Sequence, residues 1–387
     1  MSTSSSLAWL PDNTDISSEP LNARQVPSLL RAFSQVTDPR SPQGRRWELP
    51  LLLGITVAAA LAGHTSYAAI GEWARDLPPG LRLALGLGAR RGPCEATIRF
   101  TLQRLDADEL SGVIGGWLAA RSAVPGQVRH IAVDGKTARG SRDRDKPAAH
   151  LLSAFDADSG VVLGQQTMAD KPSEITAFQP LLESVDIKGA VVTADALHVQ
   201  HAHVAYLAGR GADWAWTAVK ANQPTTFAQI KAMPWADVPQ GQVISEKSHG
   251  RCQTRSIKLC DAPSGFPLNG AKQVFRIIRR TRPMGTDQPW TVEVVYGATS
   301  LDHRQAGPAR IAHLVRRHWS IEVELHWVRD VTFGEDLSRI RAGNGPAVMA
   351  TIRNTAISLH RLNGAENIAA ATRHIQRHPE DAMNLII

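Results

Sequence analysis

Residues 128–134 read VRHIAVD and residues 190–195 read AVVTAD, two short apolar runs that each close on an aspartate. The first alternates and carries β-branched residues, the pattern of a strand with one face on a core. The second is apolar throughout, as a strand covered on both faces is. Between them, residues 151–155 and 161–168 predict two more strands, joined across Asp158-Ser159-Gly160, a sequence suited to a hairpin turn. Residues 174–184 predict a helix. Beyond Asp195 the pattern gives a helix over 198–209 and a strand over 214–219.

Strand, strand, strand, helix, strand, helix, strand is the order of an RNase H-like (retroviral integrase-like) core, an α/β fold whose mixed sheet has three antiparallel strands before two parallel ones. From about residue 224 to 304 this order is interrupted by short strand patterns at 243–245, 255–259, 273–279 and 291–296, which predict a β-rich insertion. Helical spacing returns at Gln305. Ile311, Leu314, Ile321, Leu325 and Val328 fall on one stripe of a long helix running to about Val331, and residues 346–362 predict a final helix. Upstream, residues 25–125 carry helical patterns only and predict an all-α N-terminal domain. Residues 1–24, rich in Ser, Asp and Pro without periodicity, read as a disordered tail. The expected division is therefore 1–24, 25–125, 126–223, 224–304 and 305–387, with the core split around the insertion.

Composition sets the class. The 387 residues are 43% hydrophobic and 20% charged, as in an ordinary globular protein able to bury a core without disulfides. Basic residues exceed acidic ones, 43 to 36, and the net charge of +7 suits a polyanionic partner. Cys94, Cys252 and Cys260 are odd in number and widely spaced, which points to a reducing compartment and to no zinc site. The start, MSTSSSLAWLPDNTD, lacks the charged and apolar regions of a signal peptide. Residues 49–63 (LPLLLGITVAAALAG) are nearly free of polar groups but shorter than the ~20 residues that span a bilayer, so a buried core helix is expected. A cytoplasmic protein is expected from these readings, and the family resemblance given below implies one associated with the nucleoid.

In the strand order above, the first and fourth strands are central neighbours, so Asp134 and Asp195 converge. A helix packed across the sheet can bring Glu322, in RRHWSIEVELHW, to the same place. Converging carboxylates are what Mg²⁺ requires, since this hard cation binds oxygen and keeps waters and substrate phosphate oxygens. Paired ions can then stabilise the attacking and leaving oxygens of a phosphodiester. Packed without metal, such acids repel one another, a cost that speaks for function. Two ions, Mg²⁺ with Mn²⁺ as substitute, are expected on Asp134, Asp195 and Glu322. Glu324, Asp330, Glu335 and Asp336 are the alternatives to Glu322 should the helix phase differ.

Seven strings in order extend this reading over nearly the whole chain: VTDPRSPQGRRWELP, LAGHTSYAAIGEWA, AVDGKTARGS, TADALHVQ, VKANQP, HGRCQTR and RRHWSIEVELHWVRDVTFGED. Together they resemble the DDE-class insertion-sequence transposases, in the branch with an associated N-terminal helical domain that includes the H-repeat-associated proteins. The resemblance implies that Asp134, Asp195 and Glu322 are the three catalytic acids, 61 and then 127 residues apart. The long second gap fits an insertion before the last helix. The family's aromatic, Arg, Glu, Lys signature falls on Val315, His318, Glu322 and Arg329, which implies that His318 contacts DNA phosphate. Seven residues apart on an α-helix, Glu322 and Arg329 share a face, which implies that Arg329 pairs a DNA phosphate. Two positions depart from the branch: Val323 follows the glutamate in place of Asn, and KPSEITA lacks the Asn that usually precedes Glu174.

Further contacts follow. Lys136 and Arg139, just past Asp134, are placed on phosphate beside the site, and the resemblance puts Lys220, Asn222 and Gln223 there too. Thr97 and Arg99 open a candidate recognition helix. His198, His201 and His203 do not share one helix face, and core roles are the simpler reading; Trp214 and Trp216 likewise suit the core. The implied function is metal-dependent cleavage at insertion-sequence ends and strand transfer into target DNA. The partners are double-stranded DNA (terminal inverted repeats and target) and a second copy in a synaptic dimer. The alternatives are a stand-alone RNase H-like nuclease and a catalytically silent DNA-binding relic.

Overall fold

The computed structural model describes residues 28–88, 90–144, 147–168, 173–248 and 250–387; the expected tail over 1–24 lies outside them. A nine-stranded mixed sheet runs through the molecule in the order β3-β2-β1-β4-β5-β9-β8-β7-β6. Its strands are β1 (His130–Ala138), β2 (Ala149–Asp156), β3 (Val161–Met168), β4 (Val191–Ala194), β5 (Asp213–Trp216), β6 (Val243–Ser248), β7 (Arg251–Asp261), β8 (Gln273–Pro283) and β9 (Thr291–Thr299). β1 pairs antiparallel with β2 and parallel with β4, and β4 pairs parallel with β5. The first five strands thus stand in the order read from the sequence.

Two differences matter. β1 does not stop at Asp134 but continues to Ala138, because β2 pairs it as far as Ala138↔Ala149. The strands expected as an insertion extend the same sheet: β9 joins β5 through Ala215↔Thr299 and Trp216↔Ala298. Only long-range pairing reveals that junction, and local patterning carries no trace of it.

Helices cover both faces. Before β1 come α1 (Leu29–Phe33), α2 (Leu49–Leu61), α3 (Tyr67–Asp76), α4 (Pro79–Ala84), α5 (Glu95–Leu102) and α6 (Ala107–Ser122). α2 is buried almost all round, as its unbroken apolar sequence demands. It packs on α1, α3, α12 (Gly345–Leu362) and α14 (Pro379–Ile386). Among the described residues no helix is long and apolar enough to cross a membrane. The N-terminal helices do not form a core of their own. Leu53, Ile70 and Leu110 share one cluster with Ala132 and Phe155 of the sheet and with Ile357 and Ile386 near the C-terminus. α6 lies so close to the edge strand β3 that a Cβ at Gly115 would meet the Leu163 carbonyl at 1.9 Å. Its Ser111 and Asp108 side chains accept the N–H groups of Gln165 and Thr167, which closes that edge to further pairing.

The opposite face of β1–β5 carries a second core with α7 (Glu174–Glu183) and α8 (His201–Gly209). α9 (Pro224–Ala232) leads into the β6–β9 half, whose Ile257 and Phe275 pack on Ile311 and Leu314 of α10 (Pro308–His318). The long helix expected to run to Val331 is broken. α10 ends at His318, a π-helical turn occupies Ile321–His326, and α11 (Trp327–Val331) follows. α13 (Ile368–Arg377) and α14, beyond the helix expected to be last, complete the chain.

Candidate metal centre

β1 and β4 pair in parallel as far as Ala132↔Thr193. Asp134 lies two residues further along β1 and Asp195 two residues further along the extended chain just past β4, so both fall on the side that Ala132 and Thr193 share. That face looks toward α10 and the π turn: Thr193 Oγ1 meets His318 Nδ1 at 3.2 Å and His130 Nε2 at 2.8 Å. The carboxyl ends of parallel strands, where neighbouring chains diverge, are where α/β sheets leave room for a ligand.

The π turn supplies the third acid. The Trp327 N–H bonds the carbonyl of Glu322, five residues back, in place of the usual four. Ile321 and Leu325 anchor this wider turn in the core. His326 comes four residues after Glu322 and is buried. Its Nδ1 lies 3.3 Å from Glu322 Oε2 and 3.6 Å from Asp134 Oδ2. One donor atom from each of Asp134, Glu322 and His326 falls within 4.8 Å of the others, the one such group among the described residues. Asp195 stands outside this set. One of its oxygens accepts the Leu197 N–H at 2.9 Å and caps the short turn Ala196–His198.

Electrostatics agree with this geometry. Burial, then the negative charge of Glu322, pushes the Asp134 carboxyl up to about 8, and Asp195 adds to the effect. Burial also lowers His326, so its imidazole is neutral. A half-buried carboxyl whose charge is opposed by burial and by a neighbouring carboxylate, with an imidazole beside it, is a donor set for a divalent cation. Facing both acids, His326 Nδ1 either donates to them or serves as a ligand in their midst, never both at once. A cleft of about 800 Å³, lined by Lys136, Thr137, Glu322, His326, Trp327 and Asp336 among others, opens onto the group. Val323 and Trp327 line it, and with Trp319 and Val331 they stand exposed at four-residue steps.

Behind the aspartates lies a second polar cluster. Gly135 points away from Asp134, and a Cβ there would sit 2.6 Å from Glu174 Oε1. Glu174 is buried; His150 Nε2 lies 2.7 Å from its Oε1 and His198 Nε2 3.8 Å from its Oε2. Thr137 Oγ1 bonds His150 Nδ1 at 2.7 Å. One carboxylate thereby braces β1, β2 and the turn after Asp195 from the rear.

Arg329 is not presented to solvent. It is fully buried, with Nη2 2.7 Å from Glu335 Oε1, and Arg353 Nη1 reaches Glu335 Oε2 at 3.3 Å. This corrects the phosphate contact expected of it. The expectation assumed an unbroken α-helix, and the wider π turn changes the phase of everything after it. His318 is corrected likewise, being buried against Thr193. Lys136 is mostly buried, its Nζ 2.6 Å from Asp330 Oδ2. Arg139 is 82% exposed at the cleft, with its N–H on Asp336. Lys220 is exposed, whereas the Asn222 and Gln223 amides donate to the carbonyls of Ala196 and Val199 and so fix the turn after Asp195. Thr97 and Arg99 lie on α5, which packs on α3 and α12. Arg99 pairs with Glu95 at 2.8 Å and stacks on Phe100. His198 and His203 are core residues packed on Phe178, and His201 is exposed. Sequence reasoning passed over His326 as a ligand; its i, i+4 spacing from Glu322 was the signal available.

Residues 125–359 match the family described as Transposase DDE domain, and residues 30–118 match its companion, DDE_Tnp_1-associated. YncI of Escherichia coli O157:H7, named as a candidate transposase, is 31% identical over 87% of this chain and 88% of its own length. YhhI of Escherichia coli K12, named as an H repeat-associated candidate transposase, is 34% identical over 59% of this chain and 63% of its own. Among solved structures, a piggyBac transposase synaptic complex with hairpin DNA aligns over 92% of this chain and 80% of that one, with TM-score 0.42 and 11% identity. By the extent of the two family matches and of the match to YncI, the chain belongs to the transposase DDE domain family, with the associated N-terminal region.

Proposed function

We propose that the protein cuts DNA at the ends of an insertion sequence and joins those ends to target DNA, with Asp134, Asp195 and Glu322 as its catalytic acids on an RNase H-like core. The observation that carries this reading is the meeting of Asp134, Glu322 and His326 within 4.8 Å, with Asp195 on the same side as Asp134, in a chain of this family. In this reading Asp134, Glu322 and His326 would hold Mg²⁺ or Mn²⁺, and Asp195 would help to hold a second ion. Bound there, the cations supply charge neutralisation at the attacking and leaving oxygens of a phosphodiester.

The chain's own residues do the rest. Asn222 and Gln223 hold the Asp195 turn, and Glu174 fixes Gly135 behind Asp134. Exposed Arg139 at the cleft and exposed Lys220 serve as phosphate contacts, and Thr97 and Arg99 engage terminal-repeat DNA from the helical region. The proposed division is a helical domain over 25–125, a core over 126–223 and 305–387, and a β-rich insertion over 224–304. Two ends must be held together, so the working assembly is a dimer.

A supercoiled plasmid carrying the element's two ends tests this. Mg²⁺-dependent cuts at those ends, joined products, and loss of both with Asp134→Asn support the proposal. Cutting without regard to the ends is the signature of a plain nuclease, and end binding without cutting that of a relic; either result overturns it.

A further inference from the structure

The β6–β9 half of the sheet has one face turned to α10 and one turned away, and its charges are sorted between them. In an antiparallel ladder, directly paired residues share a face and successive residues alternate. Glu246, Asp261 and Glu293, the carboxylates of these four strands, all fall on the α10 side. There Glu246 pairs with Arg255 and Arg316, and Glu293 with Arg279.

The outward side has the opposite character. Register places Lys247, Arg280 and Arg282 on it, with Val292 and Val294 beside them. Two contacts fix the assignment: Ser245 Oγ meets Thr254 Oγ1 across β6 and β7, and the Arg282 guanidinium lies 4.7 Å over the Trp290 ring. Nearer the core, Lys258 and Arg276 share this side but are roofed by Trp235. Lys247, Arg280 and Arg282 have no carboxylate within ion-pair reach among the described residues. Val292 and Val294 are 54% and 44% exposed.

We infer that this outward face docks duplex DNA along its sugar–phosphate backbone. The inference rests on the proposal that the protein acts on DNA, and adds where duplex beyond the cut site is held. A face with unpaired cations and no carboxylate attracts a polyanion by counterion release, without reading sequence. A second copy fits poorly. A two-fold contact through this face would set Lys247, Arg280 and Arg282 against their own likes.

The test is fluorescence anisotropy with a labelled random-sequence duplex, in chelator so that the carboxylate site is silent, across a salt series. The variant is Lys247→Gln, Arg280→Gln and Arg282→Gln combined, with its unfolding midpoint measured to confirm folding. Arg279→Gln, on the opposite face, is the control. Losing three phosphate contacts should flatten the slope of log K against log salt by about 2.7, and weaken binding on the order of a hundredfold at about 0.15 M salt, with the control close to wild type. Wild type that binds duplex while the triple variant keeps its slope overturns the docking face and leaves the DNA-acting proposal standing. A triple variant that keeps its slope but drops from dimer to monomer also overturns it, and marks a copy–copy surface. Wild type that neither binds this duplex nor cuts the plasmid defeats the underlying proposal itself.

Discussion

Glu335 stands alone between two guanidinium groups, and its replacement by alanine measures what that arrangement is worth. Arg329, Arg353 and Glu335 are at most 2% exposed. Burial by itself would push the Glu335 carboxyl up, but the charges of Arg329 and Arg353 outweigh it and hold the group below its usual range. Removing one partner of a buried ion pair costs about 3–5 kcal/mol, because the remaining charge stays desolvated without a counterion. Here two cations are orphaned together, so Glu335→Ala should fall at the upper end of that range, read as a lower urea midpoint with unchanged m-value. Exchanging the whole triad for apolar residues of similar size, Arg329→Met with Glu335→Leu and Arg353→Met, should recover most of the loss. Since Arg329 is buried, the triple variant should also keep the wild-type salt dependence of DNA binding. The reasoning fails if Glu335→Ala unfolds within about 1 kcal/mol of wild type, or if the triple variant is no more stable than the single one.

Three further expectations can be checked directly. Glu322→Gln and His326→Ala should each weaken Mn²⁺ binding on the order of tenfold or more in calorimetry; unchanged affinity in His326→Ala would remove that residue from the centre. Gly135→Ala forces a methyl group to within 2.6 Å of Glu174 Oε1 and should destabilise the fold by about 1–3 kcal/mol, measured by urea titration. His360, buried on α12, is pushed down to about 4 from an ordinary 6.5. Above the ordinary value both folded and unfolded states are neutral there and the stability is intact. As pH falls from 6.5 toward 4 the unfolded chain takes a proton that the folded one refuses. That should remove roughly 3 kcal/mol, levelling off below the folded value, and His360→Asn should flatten that part of the curve.

Much of the sheet was legible because its strands differ in period from their flanking helices, and the hairpin turn at Asp158-Ser159-Gly160 fixes β2 against β3. Asp134 and Asp195 were legible for the same reason: each follows an apolar run whose burial is local in origin. His326 and Arg329 were not. Helical spacing was extrapolated across residues 319–327, where the chain takes a π turn, and nothing in IEVELH announces one. A phase error of part of a turn carried Arg329 from the cleft to the core and concealed how near His326 comes to Asp134. The joining of β9 to β5 was hidden because two residue pairs suffice to make it, and they lie more than eighty residues apart in the chain.

The shared core of the first and last helices sets a condition on how this chain is made. α2 leaves the ribosome some 280 residues before α12, and later still come α13 and α14, which also pack on it. At about 5–20 residues per second, α12 is translated roughly 15–60 s after α2. Through that interval a thirteen-residue helix that is apolar on every side has α1 and α3 beside it but lacks its C-terminal partners. Translation speed and chaperone supply therefore bear on how much active protein a cell obtains, and a premature stop before residue 345 would yield a product whose most hydrophobic segment is only partly enclosed.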